Sequence, residues 1–144
     1  MTEQEPETRL DQRYSDPDAR ATPWADAESL LASAELFWIS TVRPDGRPHV
    51  VPVGFTWDPA TSVARVITSR GSRKARNALA GCPAVLCQVD GRHWLSLEGT
   101  ARILDDPAAV ADAEERYAVR YRQPRPNPER VVLAIDVTIV LGNV

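Results

Sequence analysis

The sequence predicts a mainly β (α+β) domain: six antiparallel strands in a closed or nearly closed barrel, with a few short helices at its periphery. Three observations predict it. Six runs rich in β-branched and aromatic residues follow one another along the chain, several joined by compact turn signals such as Pro44-Asp45-Gly46 and Asp90-Gly91. Helical signals are confined to three short stretches. The 144 residues are 43% hydrophobic, enough for one core and one domain of ordinary size. Closure also removes the exposed strand edges that invite aggregation.

The elements follow in order. Met1 to Ala21 mixes Glu, Asp, Arg, Gln and Pro with little apolar periodicity and reads as a flexible tail, leaving residues 22–144 as the domain. Thr22 is suited to cap a helix and Pro23 to begin it, and that helix is expected to run to about Ala34. Leu36 to Arg43 is the first strand. Pro48 to Trp57 is the second, and Pro52 inside it implies an edge or a bulge. Val63 to Thr68 completes an antiparallel meander. A loop and a short helix starting near Ser72 or Arg73 come next. Ala84 to Asp90 and His93 to Leu104 form a hairpin, with Gly99 marking a bend in the longer strand. Pro107 to about Tyr121 is a helix capped by Asp105 or Asp106. A stiff loop with three prolines leads to the last strand, Val131 to Leu141.

Composition narrows the function classes. A net charge of −3 does not favour a nucleic-acid partner. No apolar run is long enough to cross a bilayer, and the N-terminus has no apolar signal core, so a cytoplasmic protein is expected. Cys82 and Cys87 read as small hydrophobes rather than a disulfide. His49 and His93 stand apart, and no metal-ligand spacing is present. Nucleophile elbows, catalytic triads and Gly-rich nucleotide fingerprints are absent as well. No catalytic side chain is identified. A site without nucleophile or metal fits an enzyme whose cofactor supplies the chemistry.

Three features carry candidate chemistry. The first is the strand-to-helix corner from Thr68 to Asn77. It offers hydroxyls from Thr68, Ser69 and Ser72, free backbone N–H groups, and the charges of Lys74 and Arg76. Lys74 is the single lysine beside sixteen arginines, and a compact ammonium meets phosphate as a point charge. Phosphate is the natural guest of this corner; a solvated basic turn is the plainer reading. The second feature is a set of tryptophans, Trp38, Trp57 and Trp94, on predicted strands. They are either flat walls for a planar ligand or ordinary packing. The third is the arginine cluster Arg120, Arg122, Arg125 and Arg130 around the proline-rich loop. It is suited to carboxylates, or is a solvated patch.

Four stretches taken together resemble a known family: TVRPDGRPHVVPVGF from Thr41, ARVITSRGSRKARN from Ala64, QVDGRHWLSLEGTARI from Gln88 and RYRQPRPNPERVV from Arg120. The chain resembles the pyridoxamine-phosphate-oxidase-like split-barrel superfamily. Within it the likeness is to the deazaflavin (coenzyme F420) dependent biliverdin reductases. The resemblance implies a six-stranded split barrel acting as a homodimer, with cofactor held between subunits. Lys74 falls at the family's phosphate-binding lysine, with Thr68, Ser69, Ser72 and Arg76 around it. His49, Val50, Val51 and Pro52 are expected beside the ring system, with Gln88 and Trp94 approaching it. Arg122, Arg125 and Asn127 are expected at a substrate or the cofactor's tail. The implied activity is hydride transfer from reduced F420 to biliverdin. The alternatives are an FMN-dependent oxidase or reductase on the same barrel, or a non-catalytic carrier of flavin, F420 or haem. The chain lacks the arginine- and tryptophan-rich C-terminal extension of true pyridoxamine phosphate oxidases, which argues against vitamin B6 oxidation.

Overall fold

The structure is a computed structural model that describes residues 5–33 and 36–143. The strands are β1 (Glu7–Arg9), β2 (Phe37–Val42), β3 (Pro48–Val53), β4 (Thr56–Asp58), β5 (Val63–Ser69), β6 (Cys82–Asp90), β7 (His93–Leu104) and β8 (Arg130–Asn143). The helices are α1 (Trp24–Ser33), α2 (Arg73–Ala78) and α3 (Pro107–Arg120). The hydrogen-bonded path is β3-β2-β6-β7-β8-β5-β4, with β1 lying parallel beside β8.

The two ends of that path, β3 and β4, are consecutive in the chain and separated only by Gly54 and Phe55. A sheet whose outermost strands are two residues apart has to curl until its ends meet. The barrel is therefore split: covalent chain, not a ladder of hydrogen bonds, joins its first edge to its last. Pro52 sits on that edge, where a missing N–H costs no ladder bond.

Two differences from the sequence reading concern strand count. Pro48 to Trp57 is not one strand but two, which together with β1 brings the described strands to eight rather than six. The break has a specific cause. At Phe55 the backbone turns to α3 for its partners: its N–H donates to the Tyr121 hydroxyl at 3.2 Å, and its C=O accepts from that hydroxyl and from Arg120 Nη1 at 2.8 Å. The Arg120 guanidinium also lies 4.7 Å from the Phe55 ring centre. We expect Tyr121→Phe to leave the Phe55 N–H without a partner and to cost about 1–3 kcal/mol in urea unfolding.

The second difference is β1. The segment expected to be a tail contributes Glu7–Arg9 to the sheet, paired with Ile139 to Leu141. The reason lies in β8, not in the segment's own composition. β5 pairs with β8 only as far as Asp136, which leaves the last part of β8 with an open edge that a short strand can fill. Ala19 and Thr22 are buried further along the same segment. Residues 1–4 and Ala34, the expected end of the first helix, lie outside the described residues.

The helix signals correspond closely. Ser72 caps α2, its hydroxyl accepting from the Ala75 N–H, and Asp106 caps α3 through the Ala109 N–H, with Pro107 opening that helix. The core lies inside the curl of the sheet. Phe37 and Phe55 meet edge to face at 4.8 Å, and Ile39, Leu86, Leu95, Leu97, Leu133 and Ile135 are fully buried. Gly99 sits at a register shift of β7 against β8, the bend expected of it.

The outer face of the same sheet is apolar too. Cross-strand partners share a face, which sets Trp38 beside Pro52 and Cys87, and Val89 beside Trp94. Trp38 and Val50 are each about half exposed, at 52% and 53%. Among the described residues no helix is long and apolar enough to cross a membrane.

Candidate functional site

β5 ends at Ser69, the chain turns through Gly71, and α2 begins at Arg73. This corner orders its own hydroxyls. Thr68 Oγ1 donates to Ser72 Oγ at 2.9 Å, and Ser72 Oγ also accepts from the Ala75 N–H. Asn127 Nδ2 donates to Ser69 Oγ at 2.9 Å. Both serine oxygens are thus acceptors within the protein, and each keeps its own proton for a guest. With only six residues, α2 has little dipole to offer, so side chains carry the site.

Lys74 is half-buried, and burial pushes its ammonium below its ordinary pKa. Among the described residues it has neither a hydrogen bond nor an ion pair. It lines a cavity of about 480 Å³ together with Pro52, Tyr117, Arg122, Arg125 and Arg130. Arg130 has a side-chain exposure of 10% and is gripped on one side: its Nη1 donates to Glu114 at 2.7 Å and to the Arg125 carbonyl at 2.9 Å. Its Nε–H is buried with no partner among the described residues. The wall therefore carries four cations and no carboxylate, in a chain whose net charge is −3. A buried donor left unpaired is costly, and the Arg130 Nε–H is one, on a residue of this same wall. That arrangement receives an anion.

Of the expected residues, Pro52, Lys74, Arg122 and Arg125 line this cavity, while Thr68, Ser69 and Ser72 belong to the corner that leads into α2 and are not among its lining residues. Asn127 joins them as a buckle, its amide engaged by Ser69 and by the Glu129 N–H. Other expected residues fall elsewhere. Val51 packs against the core, while Val50 points to the outer face of the sheet. Arg76 is exposed, two residues beyond Lys74 and so on a different side of α2. Gln88 donates to the Leu36 carbonyl and lines a separate cavity with Asp90 and His93. Trp94 belongs to the outer face, opposite Val89.

The tryptophans are not the ring wall of this cavity. Trp38, Trp57 and Trp94 are not among its lining residues, and Trp57 packs edge-on to Trp24 at 5.7 Å. The aromatic side chain at the cavity is Tyr117, stacked at 4.9 Å on Tyr121. Sequence reasoning missed Tyr117 and placed Arg130 only in a general basic cluster. Its position directly before the last strand, and so beside the corner paired with it, was the available signal.

A cavity of about 550 Å³ lies between α1, β4 and α3, but its Arg116 is already paired with Asp112 and Asp58. Cys82 and Cys87 are free, and burial pushes the Cys87 thiol up, which keeps it protonated and unreactive. Among the described residues no group of three or more His, Cys, Asp or Glu side chains is placed to hold a metal.

Comparison with known proteins bears on the same region. The sequence pattern of the family described as pyridoxamine 5′-phosphate oxidase matches residues 24–142. A protein of Mycobacterium tuberculosis (strain CDC 1551 / Oshkosh) named F420H(2)-dependent biliverdin reductase is 56% identical over 118 residues, spanning 82% of this chain and 86% of that one. A crystal structure of a conserved hypothetical protein from Mycobacterium tuberculosis superposes with a TM-score of 0.72 at 20% identity, over 90% of this chain and 88% of that one. A structure described as an F420 reductase superposes with a TM-score of 0.63 at 28% identity, over 78% of this chain and 94% of the other. The split-barrel fold is common to them.

Proposed function

The chain belongs to the pyridoxamine 5′-phosphate oxidase family, and from that premise we propose that it is an F420-dependent oxidoreductase that reduces biliverdin to bilirubin. The observation that carries the reading is the half-buried Lys74 ammonium, without a counter-ion, in a cavity of four cations. Coenzyme F420 bears a phosphate and a polyanionic tail, and these residues fit such a group. Bound there, reduced F420 supplies the hydride.

The protein's own part is binding, orientation and exclusion of water. Lys74 meets the phosphate as a point charge, with the protons of Ser69 and Ser72 beside it. Arg130 adds a fixed N–H to the anion. Arg122 and Arg125 take carboxylates at the mouth, on the cofactor's tail or the substrate's propionates. Pro52 and Tyr117 give the apolar part of the wall.

Assembly completes the site. The exposed apolar face holding Trp38, Val50 and Val89 supports pairing of two copies of the chain, since an unpartnered patch of that kind marks an interface. We expect Trp38→Glu to convert a dimer to a monomer in light scattering.

The central test mixes purified protein with reduced F420 and biliverdin and follows the bilin absorbance. Bilirubin formation supports the reading, and an unchanged spectrum refutes the substrate. FMN is a second reading, because its phosphate would satisfy Lys74 equally. Titrating the apo-protein with each cofactor separates the two.

A further inference from the structure

We propose that the cavity between α1, β4 and α3 is a second binding site, and that it takes a small organic cation: an amine on a flat apolar body that also carries a hydroxyl. The site is built from this chain's own residues and is independent of the redox reading.

The cavity measures about 550 Å³, within the range of small-molecule sites. It shares no lining residue with the cavity of Lys74. Its place follows from the strand. Thr56 and Trp57 are consecutive in β4, and both line it. Consecutive strand residues face opposite sides of a sheet, so a space that touches both runs along the strand's edge. β5 fills one edge of β4, and β4 ends the hydrogen-bonded path, so the cavity lies along the other. α1 and α3 supply most of the remaining wall.

Two polar groups ask for a guest. Thr56 is only 7% exposed, and its hydroxyl is buried with no hydrogen-bond partner among the described residues. The Trp57 indole N–H is buried and lacks a partner in the same way. Each such group costs free energy, and both belong to residues of one wall. A hydroxyl on the guest satisfies both kinds of group, since it accepts from an indole and exchanges a hydrogen bond with a threonine in either direction.

Charge sets the sign of the guest. The two arginines of the wall are committed. Arg116 Nε pairs with Asp112 at 2.9 Å, and Arg120 Nη1 donates to the Phe55 carbonyl at 2.8 Å with its guanidinium over the Phe55 ring. Asp112 is thereby neutralised. Glu28 from α1 and Glu115 from α3 also line the cavity, and neither has an ion pair or a hydrogen bond among the described residues. The charge left over is negative, the reverse of the Lys74 cavity, and it suits an ammonium. Ala32, Trp57, Pro59 and Val119 give the apolar part of the wall, and an indole face adds its own attraction for a cation. Val119 is 86% exposed, an apolar side chain at the cavity that the protein itself leaves uncovered.

The test uses three phenols that share one body and differ in the end group: tyramine with an ammonium, tyrosol with a hydroxyl and 4-hydroxyphenylacetate with a carboxylate. Each is titrated into nitrogen-labelled apo-protein up to the millimolar range. The chain has four tryptophans, and Trp57→Phe identifies the Trp57 indole signal by its loss. A saturable shift of that signal is expected with tyramine, a weaker one with tyrosol and none with the carboxylate. The double variant Glu28→Gln/Glu115→Gln is expected to weaken tyramine about 3- to 10-fold and to leave tyrosol unchanged. Thr56→Val is expected to weaken tyramine and tyrosol alike. No saturable shift with tyramine, equal affinity for the three phenols, or wild-type tyramine affinity in either variant overturns the proposal.

Discussion

Lys74→Ala is expected to weaken F420 binding while raising the melting temperature of the apo-protein. The first effect is the loss of a charge-assisted contact, about 1.5–3 kcal/mol, or roughly 10- to 150-fold in Kd. The second follows from burial. Lys74 is held below its ordinary pKa by burial, with no carboxylate to offset the cost. The folded state therefore binds this proton less tightly than the unfolded chain does. The penalty is present in full below the folded-state pKa and is relieved as pH rises through it towards the ordinary lysine value. The stability gain of the alanine variant should be largest at neutral pH and shrink in alkali. Wild-type affinity should fall over the same alkaline range, and the variant's should not. Fluorescence titration and thermal melts at several pH values check all of this. Equal F420 affinity in both proteins would remove Lys74 from the site.

Gly99→Ala carries the largest expected effect on folding. A β-carbon there would lie 2.0 Å from the Asp136 carbonyl oxygen and 2.7 Å from its carbon. Both are backbone atoms of β8, so no side-chain rotation relieves the overlap. β7 and β8 form the long central ladder, and Gly99 stands at its register shift. Parting the strands there also disturbs the Arg102–Asp136 ion pair. We expect a loss of more than about 4 kcal/mol, seen as insoluble protein or a collapsed urea midpoint. Gly71→Ala is the matched control. Nothing lies within 4 Å of its added carbon, and stability should be unchanged or slightly better.

These two glycines illustrate what the chain reveals in advance. Gly99 stands out because a glycine inside a twelve-residue β-rich run implies a bend. Caps at Ser72 and Asp106 and the proline at the start of α3 are local chemistry, and local chemistry reads directly from sequence. The strand-to-helix corner with Lys74 is legible for the same reason. Harder to read is anything set by distant partners. The split at Gly54-Phe55 depends on Tyr121, 66 residues away from Phe55, and β1 depends on an edge left open by β5. Strand parity separates Val50 from Val51 and keeps Trp38 outside, but parity shows only which faces differ, not which one meets the cavity. Arg130 becomes informative only when Glu114 and the Arg125 carbonyl hold its Nη1, leaving the buried Nε–H without a partner.

The seam where the barrel closes has a consequence for access. Two strands meet there without a ladder, and Tyr121 and Arg120 clasp the backbone between them. The same stretch, Pro52 to Gly54, forms part of the wall of the cavity that Lys74 also lines. A bulky planar guest needs a doorway, and everywhere else in the sheet opening one would tear rows of main-chain bonds. At the seam the two edges are held instead by the Tyr121 hydroxyl and the Arg120 guanidinium on the Phe55 backbone and by the buried Phe55 ring, so the closure of the barrel depends on the end of α3.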